Sequence, residues 1–151
     1  MIRAALLAIG LATPVAAAEA WEGTWACAVD MNDGGVRMSQ RSTDTFTATR
    51  WVSDAKMHVT SEGTVIDYRA LTTSDINVTN GLLTMTPRSA RIIDFNRDGV
   101  SAPGDPAIAP LTAALSDSAG WEFPIAFPAT DRMLIEIDGA TQTCQRLSPP
   151  A

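Results

Sequence analysis

The chain has 151 residues, enough for one domain, and its 17 acidic and 11 basic side chains give a formal net charge of −6. Nucleic acids and anionic membrane surfaces bind proteins through clustered cations. The lysine and arginine residues form no cluster along this sequence. We therefore expect no nucleic-acid partner and no binding to an anionic membrane.

The first twenty residues have the three parts of a secretory signal peptide. Arg3 precedes an apolar run over residues 4–12, and small residues follow. That run is shorter than the roughly 20 apolar residues that a membrane-spanning helix needs, and no other stretch is long enough to span. Cleavage after residue 18 or 20 begins the mature chain at Glu19 or Trp21 and leaves one β domain over residues 21–151. We predict a bacterial protein that is periplasmic or secreted.

Turn sequences recur every eight to twelve residues between short alternating segments, which is typical of an all-β domain. The first strand is predicted over residues 24–30, ahead of the turn Asp33-Gly34-Gly35. Glu62-Gly63 is a further turn, and Asn80-Gly81 is the strongest short hairpin signal. The next strands are predicted over residues 43–51, 56–61, 64–69, 75–79, 82–86 and 90–95.

A single short helix is predicted over residues 106–115. Asp105 precedes it as an N-cap, and Pro106 suits the first helical position. Pro110 is expected to end or kink the helix, which would then be one or two turns long. The apolar side chains that share one face of it are Ile108, Leu111 and Leu115.

Two last strands are predicted over residues 132–137 and 140–147, on either side of the hairpin turn Asp138-Gly139. Cys27 lies on the first predicted strand and Cys144 on the last. An even cysteine count in an exported chain indicates a disulfide, which would hold these two strands within about 7 Å. The predicted fold is therefore mostly β, an antiparallel meander closing into a small barrel, with a two-sheet β-sandwich as the alternative.

The tripeptide Gly23-Thr24-Trp25 opens the first predicted strand. It resembles the Gly-x-Trp opening of lipocalins, avidins and their calycin relatives. In those proteins the tryptophan closes one end of an antiparallel barrel. The resemblance implies a lipocalin-like barrel with an open-ended cavity for a small apolar ligand.

The segment from Asp94 to Asp105 resembles the calcium loops of EF-hand proteins and dockerin modules. Acidic or amide residues stand at its positions one, three, five and twelve, and Gly99 stands at position six. Such spacing wraps hard oxygen ligands around one ion. A polar turn before a helix that Asp105 caps explains the same residues, so both interpretations stay open. The resemblance implies a weak structural calcium site with Asp94, Asn96, Asp98, Asp105 and the carbonyl of Val100 as ligands.

The chain contains one histidine, His58. Strand alternation places it on a polar face with Lys56 and Thr60, which is typical of a solvated histidine rather than a catalytic one. The sequence has no Gly-x-Ser-x-Gly elbow, phosphate-binding glycine loop or haem-attachment motif. We therefore name no catalytic residue and expect no enzyme.

The sequence as a whole favours an exported, non-catalytic binding domain that holds a small apolar ligand in a barrel cavity. The alternative is a protein-interaction or enzyme-inhibitor module of the periplasm, with an exported protein as its partner. A ligand-binding domain predicts a lined cavity of a few hundred cubic ångströms. An interaction module predicts a filled core and an exposed apolar patch. The sequence names no ligand-binding residue.

Overall fold

Nine strands and one short helix are present in the part of the chain that this computed structural model describes, residues 19–148. The predicted signal peptide lies outside this range except for its last two residues. The elements are β1 (Gly23–Asp33), β2 (Val36–Phe46), β3 (Arg50–Ser61), β4 (Thr64–Thr79), β5 (Leu82–Arg97), β6 (Val100–Ser101), α1 (Ile108–Leu115), β7 (Trp121–Ala129), β8 (Arg132–Ile137) and β9 (Ala140–Ser148).

All strand pairs are antiparallel, and most join strands that follow one another along the chain. β5 pairs with β7, and β9 returns to pair with β1, so hydrogen-bonded neighbours form a ring of eight strands. Among the described strands, β6 pairs with the end of β5 alone. The predicted mostly β, antiparallel meander with one short helix is confirmed. The strands form one continuous sheet, not the two separate sheets of a sandwich.

The first and last strands meet at the two cysteines. Cys27 and Cys144 are direct cross-strand partners, their Cα atoms lie 4.0 Å apart, and their side chains form a disulfide. The predicted proximity of these two strands is therefore confirmed. The bond joins residues 117 positions apart in the chain at the seam where the ring closes.

The hairpins form at the turns that the sequence predicts. Asn80 and Gly81 have positive φ angles of 53° and 75°, the geometry of a type I′ turn, whose twist matches that of the flanking strands. Paired positive φ angles also occur at Gly34-Gly35, Glu62-Gly63 and Asp138-Gly139.

The second predicted strand, residues 43–51, is two strands: residues 43–46 belong to β2, residues 50–51 belong to β3, and the chain turns between them. The hydroxyl of Thr47 accepts a hydrogen bond from the backbone N–H of Arg50 at 3.1 Å, and the backbone N–H of Thr47 donates to the Arg50 carbonyl at 2.8 Å. Threonine suits strands and also caps turns, so alternation alone does not reveal this break. β2 instead begins at Val36, in a polar stretch for which no strand was predicted.

Four predicted strands merge into two long ones. Residues 64–69 and 75–79 belong to β4, and residues 82–86 and 90–95 belong to β5. The β4–β5 pairing shifts register twice along its length, at bulges that bend long strands. β7 was not predicted because it contains two prolines, which are rare within strands.

The helix begins later than predicted, and this changes the effect of Pro110. α1 starts at Ile108, so Pro110 lies in the first turn, where its missing N–H breaks no intrahelical bond. The prediction that Pro110 ends or kinks the helix is wrong, and α1 continues to Leu115. The prediction that Asp105 caps the helix and Pro106 begins it is wrong, because Ala107 is the N-cap residue. Asp105 instead accepts the N–H of Ala107 at 2.9 Å just before α1. No helix within residues 19–148 is long and apolar enough to span a membrane.

Most of the buried apolar side chains form two clusters. β7 pairs with β5 at residues 82–85, β9 pairs with β1 at residues 24–28, and β8 lies between β7 and β9. The first cluster lies inside this part of the ring. This ring core comprises Trp25, Cys27, Phe46, Ile76, Leu83, Met85, Ile125, Met133, Ile135 and Cys144.

The second cluster lies beneath the helix, where β3, β4 and β5 continue past the part of the ring that β7 to β9 complete. Three apolar residues of α1 pack against it, as their shared face predicts. This helix core comprises Met57, Tyr68, Ala70 and Phe95, with Ile108, Leu111 and Leu115 from α1.

Candidate functional site

Two parallel rows of polar side chains cross β2, β3, β4 and β5. Direct cross-strand partners in an antiparallel sheet point to the same face, so each row follows from the register. The first, the cationic row, comprises Arg41, Lys56, Arg69 and Asp94. The second, the histidine row, comprises Ser39, His58, Asp67 and Asn96.

The rows occupy the sheet face opposite the helix core. Met57, Tyr68 and Phe95 lie between the two rows along their strands and are each at most 9% exposed. Because side chains alternate between the faces of a strand, the rows point away from this buried layer. The sequence-based placement of His58 and Lys56 on one polar face agrees with this geometry.

A cleft of about 670 Å³ lies over the two rows. We call it the sheet cleft. All eight residues of the cationic and histidine rows line it. Its lining also includes the apolar residues Ile92, Ile93, Pro103 and Ile108 and the buried Met57, Tyr68 and Phe95, so the cleft also reaches the helix core. A second cleft of about 450 Å³ shares Ser39 and His58 with it and continues toward Arg37 and Thr60. Ser39 and His58 therefore lie where the two clefts adjoin.

The arginines of the cationic row are held by carboxylates outside it. Arg41 donates to both oxygens of Asp30 at 3.0 and 3.1 Å. Arg69 donates to both oxygens of Asp54 at 2.7 and 2.6 Å, and this hydrogen bonding holds the pKa of Asp54 below its usual range. Lys56, between them, forms no ion pair within residues 19–148.

His58 is part of a chain of three polar groups. Its Nδ1 lies 2.7 Å from Asp67 Oδ1, and its Nε2 lies 3.4 Å from the hydroxyl of Thr60. The sequence analysis found His58 but not its partner Asp67. The signal was present, because a two-residue turn at Glu62-Gly63 fixes the β3–β4 register and sets these residues opposite each other.

The predicted calcium ligands are distributed over a hairpin. Asp94 and Asn96 lie on β5 and line the sheet cleft, whereas Asp98 occupies the turn to β6, on which Val100 lies. Asp98 accepts the backbone N–H of Val65 at 2.8 Å. These contacts explain the acidic residue at the turn without a metal.

Asp105, the last predicted ligand, is held by a cation. Arg97 donates to its two oxygens at 2.7 and 2.9 Å, and these hydrogen bonds, followed by that from Ala107, lower the pKa of Asp105 to about 2. Within residues 19–148 the structure brings together no group of three or more His, Cys, Asp or Glu side chains placed to hold a metal ion. Calcium binding by residues 94–105 stays a prediction.

One end of the ring is closed by a tryptophan and an arginine. Trp25 is fully buried, and its Nε1 donates to the carbonyl of Trp21 at 2.9 Å. The Arg146 guanidinium carbon lies 4.1 Å from the centroid of the Trp25 ring. Arg146 also donates to the carbonyls of Ala20 at 2.7 Å and Thr130 at 2.9 Å, and to that of Glu22. The sequence analysis missed Arg146, whose position follows from the β1–β9 pairing.

A carboxylate is enclosed within the ring. Asp44 is fully buried opposite Trp25 and accepts a hydrogen bond from the hydroxyl of Ser42 at 3.1 Å. Burial raises its pKa to about 6, against the lowering effect of donors on Ser53, Ser42 and Trp51. The Ser53 and Trp51 donors face the carboxylate without completing a hydrogen bond within 3.5 Å.

No protein-family model matches this chain, and no curated protein matches it. The interpretation of the sheet cleft therefore depends on its geometry and on the chemistry of its lining residues.

Proposed function

We propose that the mature domain is an exported, non-catalytic binding domain that holds a small polar molecule in the sheet cleft. The observation that carries this proposal is the cleft itself, whose volume of about 670 Å³ lies within the range of small-molecule sites. Its lining combines charged and amide groups with an apolar wall, and such a combination orients a ligand that has both kinds of surface.

The sheet cleft suits a ligand better than the interior of the ring. Trp25 and Met133 have no exposed surface and Leu83 has 1%, so a molecule inside the ring would have to displace packed side chains. Filling space between close-packed groups is costly. We therefore place the ligand on the polar face, and we propose a polar ligand where the Gly-x-Trp resemblance implies an apolar one.

The contact between Trp25 and Arg146 supports a calycin-like architecture. The tryptophan of the Gly-x-Trp tripeptide, Trp25, is fully buried. A late arginine covers its face, donates to two carbonyl groups of the segment before β1, and donates to a third in the turn between β7 and β8. We propose that the chain shares the architecture of these binding proteins.

The groups around His58 support a non-catalytic role. Hydroxyl, imidazole and carboxylate occur in the order of a hydrolase triad. However, the side chains of His58 and Asp67 are 52% and 46% exposed, and the 3.4 Å approach of Thr60 is long. All three residues lie within paired strands, whose backbone N–H groups serve the ladder and cannot form an oxyanion hole.

Export is supported by two independent features. The first twenty residues have the pattern of a signal peptide, and the described domain contains a disulfide across its closing strands. Disulfides form and persist in oxidising compartments such as the bacterial periplasm.

Native mass spectrometry of protein purified from its producing cells tests the proposed function. We expect a retained molecule of a few hundred daltons on the wild type, lost from Ser39→Trp, which fills the cleft. Thr45→Trp is the matched control, because Thr45 is exposed on the same face of β2 and does not line the cleft. A wild type that retains nothing, or a ligand that survives Ser39→Trp, would contradict the proposal. A retained protein instead of a small molecule would favour the interaction module.

A further inference from the structure

The cationic row places three like charges side by side on adjacent strands. Lys56 is the direct cross-strand partner of Arg41 on one side and of Arg69 on the other. Like charges directly opposite each other destabilise an antiparallel pair. Asp30 and Asp54 offset the charges of the two arginines in the free domain. Lys56 has no such ion pair within residues 19–148, so an anion that lies between the two arginines would complete the array at Lys56.

The two arginines are preorganised to flank such an anion. Each is fixed by two hydrogen bonds to a carboxylate, Arg41 by Asp30 and Arg69 by Asp54. Arg41 Nη1 also donates to the carbonyls of Val29 and Gln40 at 3.2 and 2.7 Å. A guanidinium group has five N–H donors, so both arginines still keep donors for a ligand. Their neighbour Lys56 has three ammonium donors and no ion-pair partner within the described range.

We propose that the ligand of the sheet cleft carries an anionic group, a carboxylate or a phosphate, which binds the ammonium of Lys56 between Arg41 and Arg69. This inference depends on the proposed function, since it names the chemistry of the ligand in the same cleft. The uncharged groups of Ser39 and Asn96 stand in the neighbouring row and suit hydroxyl or amide groups elsewhere on the ligand. Ile92 and Ile93 provide apolar contact beyond them.

Asp94 sets the direction of the ligand. It ends the cationic row beside Arg69, whose pKa is raised chiefly by the hydrogen bonds to Asp54 and, to a lesser extent, by Asp94. A carboxylate at this end repels an anion and attracts a cation, so the anionic group is directed toward β2 and β3. A ligand with both charges would place its positive group near Asp94.

Lys56 is the single lysine of the chain, which permits a selective test. Reductive methylation with ¹³C-formaldehyde keeps its positive charge and labels Lys56 and the N-terminal amine. Sodium citrate and sodium phosphate are then titrated at constant ionic strength, with sodium chloride as the reference salt. We expect a saturable shift of the Lys56 resonance with at least one of the two anions, and no such shift at the N-terminus. Equal, non-saturating shifts at both sites would overturn the inference.

Calorimetric titration with the anion that shifts Lys56 measures the contribution of this side chain. We expect Lys56→Gln to weaken binding about tenfold, the effect of losing one charge-assisted contact. Lys56→Arg should restore most of the affinity. The matched control is Arg132→Gln, which removes an exposed cation from β8. Equal losses in Lys56→Gln and Arg132→Gln would show a general charge effect and overturn the inference.

Failure of the anion site is distinguishable from failure of the binding function. If mass spectrometry finds a retained uncharged molecule that Ser39→Trp abolishes, and neither citrate nor phosphate shifts Lys56, the anion inference is wrong and the binding function stands. If the wild type retains nothing and neither anion binds, both proposals are wrong.

Discussion

Asp44 couples the stability of the domain to pH. Its pKa is raised from 3.8 in the unfolded chain to about 6 in the folded one, so the folded protein holds this proton more tightly. Between these two values the unfolded state loses its proton first, and stability falls as pH rises. The shift corresponds to about 3 kcal/mol. Burial raises this pKa, against the lowering effect of the neutral donors of Ser53, Ser42 and Trp51.

We expect Asp44→Asn to remove this dependence. The variant should be more stable than the wild type above pH 6, by up to about 3 kcal/mol, and the difference should shrink toward pH 4. Asp105 acts in the opposite sense, because its lowered pKa contributes stability that is lost as pH falls from 3.8 toward 2. Urea unfolding of both proteins at several pH values isolates the contribution of Asp44. A difference in stability that does not vary with pH would contradict this assignment.

Arg146 stabilises the closed end of the ring. Arg146→Met should lower the free energy of unfolding by about 2 to 3 kcal/mol, because it removes the contact with Trp25 and leaves three carbonyl groups without their donor. Arg132→Met, at an exposed site, should change it by less than about 0.5 kcal/mol. Chemical unfolding measures both, and equal stability of the two variants would refute the role given to Arg146.

At the scale of elements, replacing each of two glycines with alanine separates the cost of a strained backbone angle from the cost of a steric clash. The two glycines have similar φ angles. Gly99 has φ +79° and open space around the position of a Cβ, whereas Gly120 has φ +73° and a Cβ there would lie 2.6 Å from the Met85 carbonyl oxygen. Gly99→Ala should cost about 1 kcal/mol. Gly120→Ala should cost about 3 kcal/mol or more, since β7 must move away from β5. Urea unfolding compares them, and equal losses would mean that β7 shifts freely.

The hairpin of β5 and β6 gives the calcium hypothesis a direct test. If residues 94–105 bind calcium, millimolar calcium should raise the melting temperature of the wild type and leave Asp98→Ala unchanged. Asp98→Ala should be less stable in either condition, because it frees the N–H of Val65. A wild-type melting temperature that calcium does not change would leave the hydrogen bond to Val65 as the role of Asp98.

At the scale of the whole molecule, the disulfide acts through the unfolded chain. Cys27 and Cys144 are neighbours in the β1–β9 ladder with or without the bond, so its loss changes few native contacts. The bond spans 117 positions, for which chain entropy predicts a contribution of about 4 to 5 kcal/mol. We expect the double variant Cys27→Ala and Cys144→Ala to lose about 2 to 5 kcal/mol in urea unfolding. A smaller loss would indicate residual structure in the unfolded state.

Local signals predicted the hairpins and the closure of the ring. Asn80-Gly81 forms the expected turn because its two residues accept positive φ, and Cys27 with Cys144 identified the strands that meet. The turn after β2 and the strand β7 escaped prediction, since threonine suits both strands and turns and proline disfavours strands. Their conformations depend on neighbouring strands rather than on local preference.

The candidate site was predictable only in part. His58 and Lys56 were placed on a polar face by alternation, but the rows they belong to depend on the register across four strands. Asp94 and Asn96 were singled out as calcium ligands, yet they line the sheet cleft because β5 continues to Arg97. The pattern within one strand does not reveal its cross-strand partners, so a cleft lined by four strands cannot be predicted from the sequence of each strand alone.

Amide chemical-shift mapping shows most directly where a ligand binds. Labelled wild-type protein is compared by ¹H–¹⁵N NMR before and after addition of the small-molecule extract of its producing cells. We expect the perturbed amides to cluster at residues 39–41, 56–58, 67–69 and 94–96. Perturbations centred on Trp25, Met133 and the ring core, with these four segments unchanged, would place the ligand inside the ring and contradict a binding site in the sheet cleft.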